Sequence, residues 1–241
     1  MPEMQTAHIA PTADIANVVL MPGDPKRSRF IAENFLEGAT LFNDLRGVQG
    51  YTGSYRGRRV SVMASGMGMP SMGIYSYELF HFFGVSAILR IGTVGGMSES
   101  VRIRDLILGM GASTDSNFAD QYHLPGRLAP LASYPLLSAA ARIAEEKKMR
   151  YHVGNLLSTD VFYRDEPEDG DKWRSLGILG VEMEAAALYL NAARAGKQAL
   201  AICTVSNHLL TGEETTAAER ETSFTDMMTL ALETARTVKE E

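Results

Sequence analysis

The stretch Gly180-Val181-Glu182-Met183-Glu184-Ala185-Ala186-Ala187 places two carboxylates one residue apart inside an apolar run. Positions 183, 186, 187, 190 and 193 then carry apolar residues at helical spacing. On an α-helix Glu182 and Glu184 would point about 200° apart, because each residue turns the helix by about 100°. We therefore predict that Glu182 lies in the turn entering the helix, where exposed amides favour a carboxylate. Taken alone, the pattern fits an ordinary helix start as well as a ligand site.

Length and composition indicate a soluble globular protein. The chain has 241 residues, 45% of them hydrophobic, which is enough for one domain over residues 1–241. A net charge of -6 argues against a nucleic-acid-binding surface. We find no 18-residue apolar span and no signal-peptide pattern, so we expect a cytoplasmic location and no membrane contact. Cys203, the single cysteine, cannot form a disulfide within the chain.

Strand-like and helix-like segments alternate along the chain. The predicted strands cover residues 17–21, 51–55, 59–64, 86–92, 105–110, 151–157 and 198–205. The predicted helices cover residues 26–36, 72–83, 136–148 and 216–238. This alternation predicts an α/β fold with helices on both faces of the sheet. Ligands of such sheets usually bind beyond the carboxyl ends of the strands.

Arginines beside glycines follow several of the predicted strands. They are Arg27 with Gly23, Arg46, and Arg90, which is followed by Gly-Thr. Arginine forks suit phosphate oxygens, and glycine lets backbone amides approach them. Each arginine alone is more typical of a solvated surface. Arg90 is the exception, because it ends an apolar strand.

Several common site types lack their motifs. The glycine loop at residues 65–70 has no following Gly-Lys-Ser/Thr and no Gly-x-Gly-x-x-Gly pattern, which disfavours P-loop and Rossmann dinucleotide sites. The five histidines are scattered, so no metal site is predicted. Ser65 also lacks the Gly-x-Ser-x-Gly elbow of serine hydrolases.

Taken together, the motifs resemble the nucleoside phosphorylase-I superfamily, above all its bacterial hexameric purine nucleoside phosphorylases. They lie at residues 19–25 with Arg27, and at 66–70, 90–93, 180–184 and 203–206. Residues 160–163 and 215–220 resemble the purine rather than the uridine branch. The resemblance implies a mixed central β-sheet flanked by helices, and phosphate-dependent cleavage of purine nucleosides. It also implies a homohexamer built as a trimer of dimers, with phosphate as co-substrate and no metal or organic cofactor.

The resemblance implies residue roles as well. The implied phosphate ligands are Gly23, Arg27, Arg90 and Thr93, with Arg46 reaching in from a neighbouring subunit. The implied ribose ligands are Met67, Met183 and Glu184, with His8 from the neighbour. The implied base pocket contains Phe162, Val181, Glu182, Ser206 and Asn207. Asn207, Arg220 and Glu184 hold the implied catalytic positions. From sequence alone, His8 also fits an exposed residue near a terminus and Phe162 a core residue.

Asn207 departs from the family, which usually has Asp at this position, where the acid protonates purine N7 with help from the arginine matching Arg220. Asn cannot deliver that proton. It can donate a hydrogen bond to O6 of a leaving 6-oxopurine, so we predict preference for inosine and guanosine. Against this, an Asn can pair with adenine N6 and N7. The neighbouring His208 is an alternative proton donor, although strand alternation points it to the opposite face.

Two other functions remain open from the sequence. Thr93, where the purine enzymes commonly have Ser, keeps a uridine phosphorylase as an alternative, although we find no Gln-x-Arg pair that would read uracil. A nucleosidase using water would leave the arginines without phosphate to bind. A nucleoside-binding protein that has lost catalysis through Asn207 is the alternative from another class.

Overall fold

The computed structural model describes residues 6–163, 169–216, 219 and 224–239. In this part of the chain the strands form one nine-stranded sheet. The strands are β1 (Val18–Pro22), β2 (Glu37–Asn43), β3 (Gly50–Tyr55), β4 (Arg58–Met63), β5 (Ala87–Gly96), β6 (Leu106–Thr114), β7 (Tyr151–Ser158), β8 (Gly180–Glu182) and β9 (Gln198–His208).

The sheet closes on itself at one end. Its order is β2-β3-β4-β1-β5-β8-β7-β6-β9, and β5 also pairs with β9. Strands β5, β8, β7, β6 and β9 therefore form a closed barrel, from which β1, β4, β3 and β2 extend. Strands β1, β4, β5 and β9 are parallel, whereas β8 runs antiparallel to β5 and β6 runs antiparallel to β9. The sheet is thus mixed.

Helices cover both faces of the sheet, as the alternating pattern predicts. They are α1 (Pro25–Phe35), α2 (Met69–Phe82), α3 (Tyr134–Glu146), α4 (Asp169–Ser175), α5 (Ala185–Ala195) and α6 (Thr225–Ala235). Alternate residues of β1 enter two cores: Val19 and Met21 pack in the core that contains residues of α2 and α5, and Leu20 in the core that contains residues of α1, α3 and α6. Within the described ranges, no helix is long and apolar enough to span a membrane.

The predicted segments are found within a few residues, with five differences. Strands β2 and β8 and helix α4 were not predicted. Strand β5 continues to Gly96, so Arg90 lies in its middle rather than near its end. The single helix over residues 216–238 is also wrong. Phe224 has non-helical dihedral angles (φ -87°, ψ 51°), so α6 begins at Thr225.

A buried carboxylate ties α6 to the β3–β4 hairpin. Glu233 is 7% exposed and accepts hydrogen bonds from Tyr55 Oη (3.2 Å), Arg56 Nη1 (2.6 Å) and Arg236 Nη1 (2.8 Å). Burial alone would raise the pKa of Glu233, but the hydrogen bonds and charges of Arg236 and Arg56 outweigh it and lower the pKa. Glu233 therefore stabilises the fold in its ionised form.

We expect Glu233→Gln to lower the free energy of unfolding by about 1–2 kcal/mol at neutral pH, because charge-assisted hydrogen bonds are lost. A lowered folded-state pKa stabilises the fold above the unfolded value and is lost as pH falls through the folded value. The deficit should therefore shrink below about pH 4. Urea unfolding at several pH values measures it. As a control, Glu146→Gln removes an exposed pair with Arg142 and should cost at most about 0.5 kcal/mol. A Glu233→Gln deficit that grows at low pH would contradict this account.

Candidate active site

The side chain of Arg90 lies buried between two carboxylates. Arg90 is 3% exposed, and its Nε donates to Glu182 Oε2 over 2.8 Å. Its Nη2 forms an ion pair with Glu184 Oε2. Both glutamates are buried as well. The two acidic residues of the stretch 180–187 therefore both contact one guanidinium group.

Gly92 makes room for this arrangement. It follows Arg90 by two residues on β5 and so lies on the same face of the strand. A Cβ at Gly92 would lie 2.8 Å from Arg90 Nη2 and 2.9 Å from its Cζ. Such distances are too short for carbon contacts, so the guanidinium can lie over the strand only because position 92 has no side chain.

The carboxylate of Glu182 caps the start of α5. It accepts hydrogen bonds from the backbone N–H groups of Glu184 (2.9 Å) and Ala185 (3.0 Å). It also accepts a hydrogen bond from the hydroxyl of Ser158, at the end of the neighbouring β7. The side chain of Glu182 thus lies next to exposed amides, as predicted, but the residue itself is the last of β8 rather than part of the turn entering the helix.

Three helix N-termini lie close to this cluster. Glu184, the residue before α5, accepts a hydrogen bond over 2.6 Å from the N–H of Gly68, the residue before α2. Gly68 has φ +86°, a conformation that favours glycine. The third, α1, follows Gly23, whose Cβ would lie 3.3 Å from the carbonyl oxygen of Gly66. Arg27 lies buried in the first turn of α1. Helix N-termini favour bound anions.

The charges of the cluster support one another. Burial opposes the charge of Arg90, but Glu184 and Glu182 outweigh it and raise its pKa, so Arg90 stays protonated. Burial raises the pKa of Glu184, and the charge of Arg90 acts against that rise. Arg90 Nη1 is buried and has no hydrogen-bond partner among the described residues. An unsatisfied buried donor is costly, so an anionic ligand here would restore its hydrogen bond.

Strands β8 and β9 bring the predicted base-pocket residues next to β5. Gly95 pairs with Val181 on one side and with Asn207 on the other. Val94 pairs with Val205, so Ser206 is the extra residue of a β-bulge. The hydroxyl of Ser206 donates to Asn207 Oδ1 over 3.1 Å.

Both ring nitrogens of His208 contact backbone groups. Its Nε2 is 3.2 Å from the carbonyl oxygen of Ser98, and its Nδ1 accepts a hydrogen bond from the N–H of Leu210 over 3.2 Å. The first contact requires a proton on Nε2 and the second a lone pair on Nδ1, so the ring is engaged as a neutral tautomer. Neither nitrogen is left for a substrate.

Other predicted site residues do not join the Arg90 cluster. His8 contacts Glu78 of α2 (Nδ1 to Oε1, 2.6 Å), and Arg46 is exposed in a left-handed conformation (φ +58°). Neither forms a hydrogen bond or ion pair with the cluster within the described ranges. Met67 and Phe162 are 83% and 72% exposed. Thr93 and Met183 are half-buried. Arg220 lies outside the described residues.

Three residues of the cluster were missed by sequence reasoning. Gly68 lies in the glycine loop, but nothing in the sequence connects it with Glu184. Gly92 carried a usable signal, because a glycine two residues after a buried strand arginine leaves space on the same face. Ser158 ends a predicted strand, and its partner Glu182 is 24 residues away. Its role could not be predicted without the strand pairing.

We expect Arg90→Met to lower the free energy of unfolding by about 3–5 kcal/mol at neutral pH, because two buried carboxylates lose their counter-charge. The folded-state pKa of Glu184, which burial already raises, should then rise further. Carboxyls with a raised folded pKa destabilise the fold at high pH and cease to do so as they protonate, so the deficit should shrink toward about pH 5. Urea unfolding across this range measures it. Arg59→Met, which removes an exposed pair with Asp14, should cost at most about 0.5 kcal/mol. A deficit independent of pH would count against buried, uncompensated carboxylates.

Comparison with known proteins identifies the family of this chain. Residues 17–240 match the family model of the Phosphorylase superfamily. The chain is 53% identical over 231 residues to a DeoD-type purine nucleoside phosphorylase of Clostridium beijerinckii, covering 95% of this chain and 97% of the relative. It is 52% identical over 236 residues to one of Lacticaseibacillus casei, covering 98% and 99%.

A solved structure has the same fold. The uridine phosphorylase of Vibrio fischeri superposes with a TM-score of 0.83 over 97% of both chains, at 24% sequence identity. This confirms the predicted nucleoside phosphorylase fold. Because the family model spans nearly the whole chain and the two relatives are about half identical to it, the chain belongs to the phosphorylase superfamily, in the family of the DeoD-type purine nucleoside phosphorylases.

Proposed function

We propose that this protein catalyses the reversible phosphorolysis of purine ribonucleosides and deoxyribonucleosides to free base and the pentose 1-phosphate. The observation that carries the proposal is the buried Arg90, which has an unpartnered donor and a carboxylate on either side. The Arg90 guanidinium can bind an anion, and the carboxylate paired with it can accept a hydrogen bond from a sugar hydroxyl. The names of the similar enzymes support purine as the base. We expect the enzyme to act in the cytoplasm.

The phosphate side of the proposed site contains the cationic and small residues. Arg90 and Arg27 would bind phosphate oxygens, with Gly23 allowing close backbone approach and Thr93 offering a hydroxyl. A phosphate oxygen then attacks the anomeric carbon while the bond to the purine nitrogen breaks and its electron pair passes to the base. Such glycosyl transfers have oxocarbenium character. Groups that stabilise the charge that develops in the transition state are the ones that raise the rate.

Glu184 would bind the ribose hydroxyls. Its carboxylate is already fixed by Gly68 N–H and by Arg90, so little reorganisation is needed on binding. It must be ionised to accept from two hydroxyls and to favour a cationic sugar. Burial raises the pKa of Glu184, and the charge of Arg90 acts against that rise and so favours the ionised form.

Asn207 would set the base preference. Its side chain is half-buried beside Gly95, and Val181 lies on the other side of that glycine. The amide would donate to O6 of hypoxanthine or guanine as negative charge collects on the leaving base. Adenine has no such oxygen, and His208 is engaged with the backbone. We therefore propose that 6-oxopurine nucleosides are the preferred substrates, with Arg220 as a further contributor that lies outside the described residues.

Initial rates of base release from inosine, guanosine, adenosine and uridine, each with and without phosphate, test the proposal. We expect phosphate-dependent release from inosine and guanosine, and release from adenosine at least about tenfold slower, because the general acid is missing. Asn207→Asp should raise the adenosine rate relative to inosine. The matched control Asn117→Asp changes an exposed amide and should leave the ratio unchanged.

The other functions give distinct results in the same assay. Fast wild-type release from adenosine would keep the phosphorylase but refute the role of Asn207. Release without phosphate would indicate a nucleosidase, and preferred release from uridine a uridine phosphorylase. Nucleoside binding without turnover would indicate a binding protein.

We further propose a homohexamer, built as a trimer of dimers, in which His8 and Arg46 complete the neighbour's site. The positions of both residues support this, since His8 contacts Glu78 of α2 rather than the cluster, and Arg46 is exposed. The outer surface of α2 also exposes Ile74 and Tyr77. Exposed apolar side chains suit a subunit contact.

Subunit mixing tests this shared site. Arg46→Ala and Glu184→Ala chains should each be nearly inactive alone. Their hybrid dimers have one site with both native residues, because an isologous interface exchanges the same residues both ways. Random co-assembly should therefore restore about one quarter of wild-type activity. Co-assembly of Arg46→Ala with His8→Ala is the control, since every site keeps one defect. No recovery in the first mixture, with hexamers shown by sedimentation, would refute the shared site.

A further inference from the structure

We propose that Glu182 does not contact the base but is a positioning residue that fixes Arg90 and Glu184 relative to each other. This inference rests on the proposed function, because Arg90 and Glu184 are the groups assigned to phosphate and ribose. Glu182 contacts both, through the side chain of Arg90 and the backbone N–H of Glu184, and it is the most enclosed of the three side chains, with an exposed fraction of 0%. A substrate cannot reach its carboxylate without displacing protein atoms.

The hydrogen-bonding capacity of Glu182 is already used. A carboxylate has about four lone-pair directions. Four donors occupy them: Arg90 Nε, the hydroxyl of Ser158, and the backbone N–H groups of Glu184 and Ala185. Any purine atom would have to replace one of these donors. Protein donors therefore occupy all the acceptor positions of the Glu182 carboxylate.

One oxygen of Glu182 connects the two proposed subsites. Oε2 accepts from Arg90 Nε over 2.8 Å and from the N–H of Glu184 over 2.9 Å. Arg90 is on the phosphate side and Glu184 on the ribose side. Together with the direct ion pair between Arg90 and Glu184, this atom sets their separation, and with it the approach of phosphate to the sugar. Misplacement of reacting groups by about 1 Å can cost about a hundredfold in rate.

The position of Glu182 is itself fixed from two sides. Ser158 donates to Oε1 while its oxygen accepts a hydrogen bond from the N–H of Ala186 over 2.9 Å, in the first turn of α5. On the other side, Gly92 leaves the space that holds the guanidinium of Arg90 against the carboxylate. Such support keeps the whole group in one geometry before a ligand arrives.

The length of the Glu182 side chain is more important for this positioning than its charge. The negative charge of Glu182 helps to keep Arg90 protonated, as that of Glu184 does, but it also weakens the attraction of this arginine for phosphate. Glu182→Gln keeps the length of the side chain and an oxygen for Arg90 Nε, with its amide turned to Ser158. Glu182→Asp keeps the charge but is shorter by about 1.5 Å, one carbon–carbon bond. It cannot reach Arg90 while still capping α5.

The experiment measures kcat and KM for phosphate and inosine in both variants. We expect Glu182→Asp to lose at least about 30-fold in kcat/KM for phosphate, and Glu182→Gln to stay within about fivefold of wild type. Glu37→Asp and Glu37→Gln, on the exposed strand β2, are matched controls and should be within about twofold. Thermal unfolding and sedimentation identify variants that are folded and assembled. A larger loss for Gln than for Asp, or no loss in either, would overturn the inference.

Two further measurements cover the remaining outcomes. If Glu182→Asp does not fold, Gly92→Ala should reproduce the loss, because the added Cβ displaces Arg90 from Glu182; normal phosphate use by that variant overturns the inference. If the wild type shows no phosphorolysis, the proposed function fails, and thermal protection by inorganic phosphate becomes the readout. Protection of wild type and Glu182→Gln but not of Glu182→Asp supports positioning. Equal protection of all three, or of none, overturns it.

Discussion

The buried guanidinium of Arg90, shared by two carboxylates, is the constraint on which the site depends. Removing charged groups from water costs several kcal/mol for each ion, and the cost is recovered only when nearly every hydrogen bond is made. Here Gly68, Ser158 and the first amides of α5 satisfy the carboxylates. One donor of Arg90, Nη1, remains without a partner in the described part of the chain, and an anion placed there would satisfy it.

The closed sheet explains how such a cluster can form. Strand β5 pairs with β1 and β9 along its first half and with β8 near its end, so Arg90 has a paired strand on both edges, at Met21 and Ala201. The chain leaves the sheet near this point to start α1, α2 and α5. The N-terminal amides of these helices therefore lie close to Arg90 on β5. Strand β8, which runs antiparallel to β5, brings Glu182 to the same place.

The sequence allowed the main features of this arrangement to be predicted, because the central strands are apolar runs and the acidic pair stands out within one. It did not allow the pairing of β5 with β9 or the barrel, since strand partners far apart in sequence leave no local pattern. Strand β2 is polar and exposed, and β8 has three residues, so neither gives a periodic signal. The break at Phe224 was missed because Phe224 stands at helical spacing from the apolar residues Met227, Met228 and Ala231. Ser158 acts through a tertiary contact and had no signal at all.

The charge of the cluster also bears on anion binding. Arg90 with Glu182 and Glu184 carries one net negative charge when all three are ionised. Phosphate is itself an anion, so Arg90 alone gives it little net attraction. Each helix N-terminus contributes about half a positive charge, and three of them lie close to the cluster. Together with the cation of Arg27, buried in the first turn of α1, they outweigh the single negative charge. The positive potential that an anion needs here therefore comes largely from where the helices begin, and not from Arg90 alone.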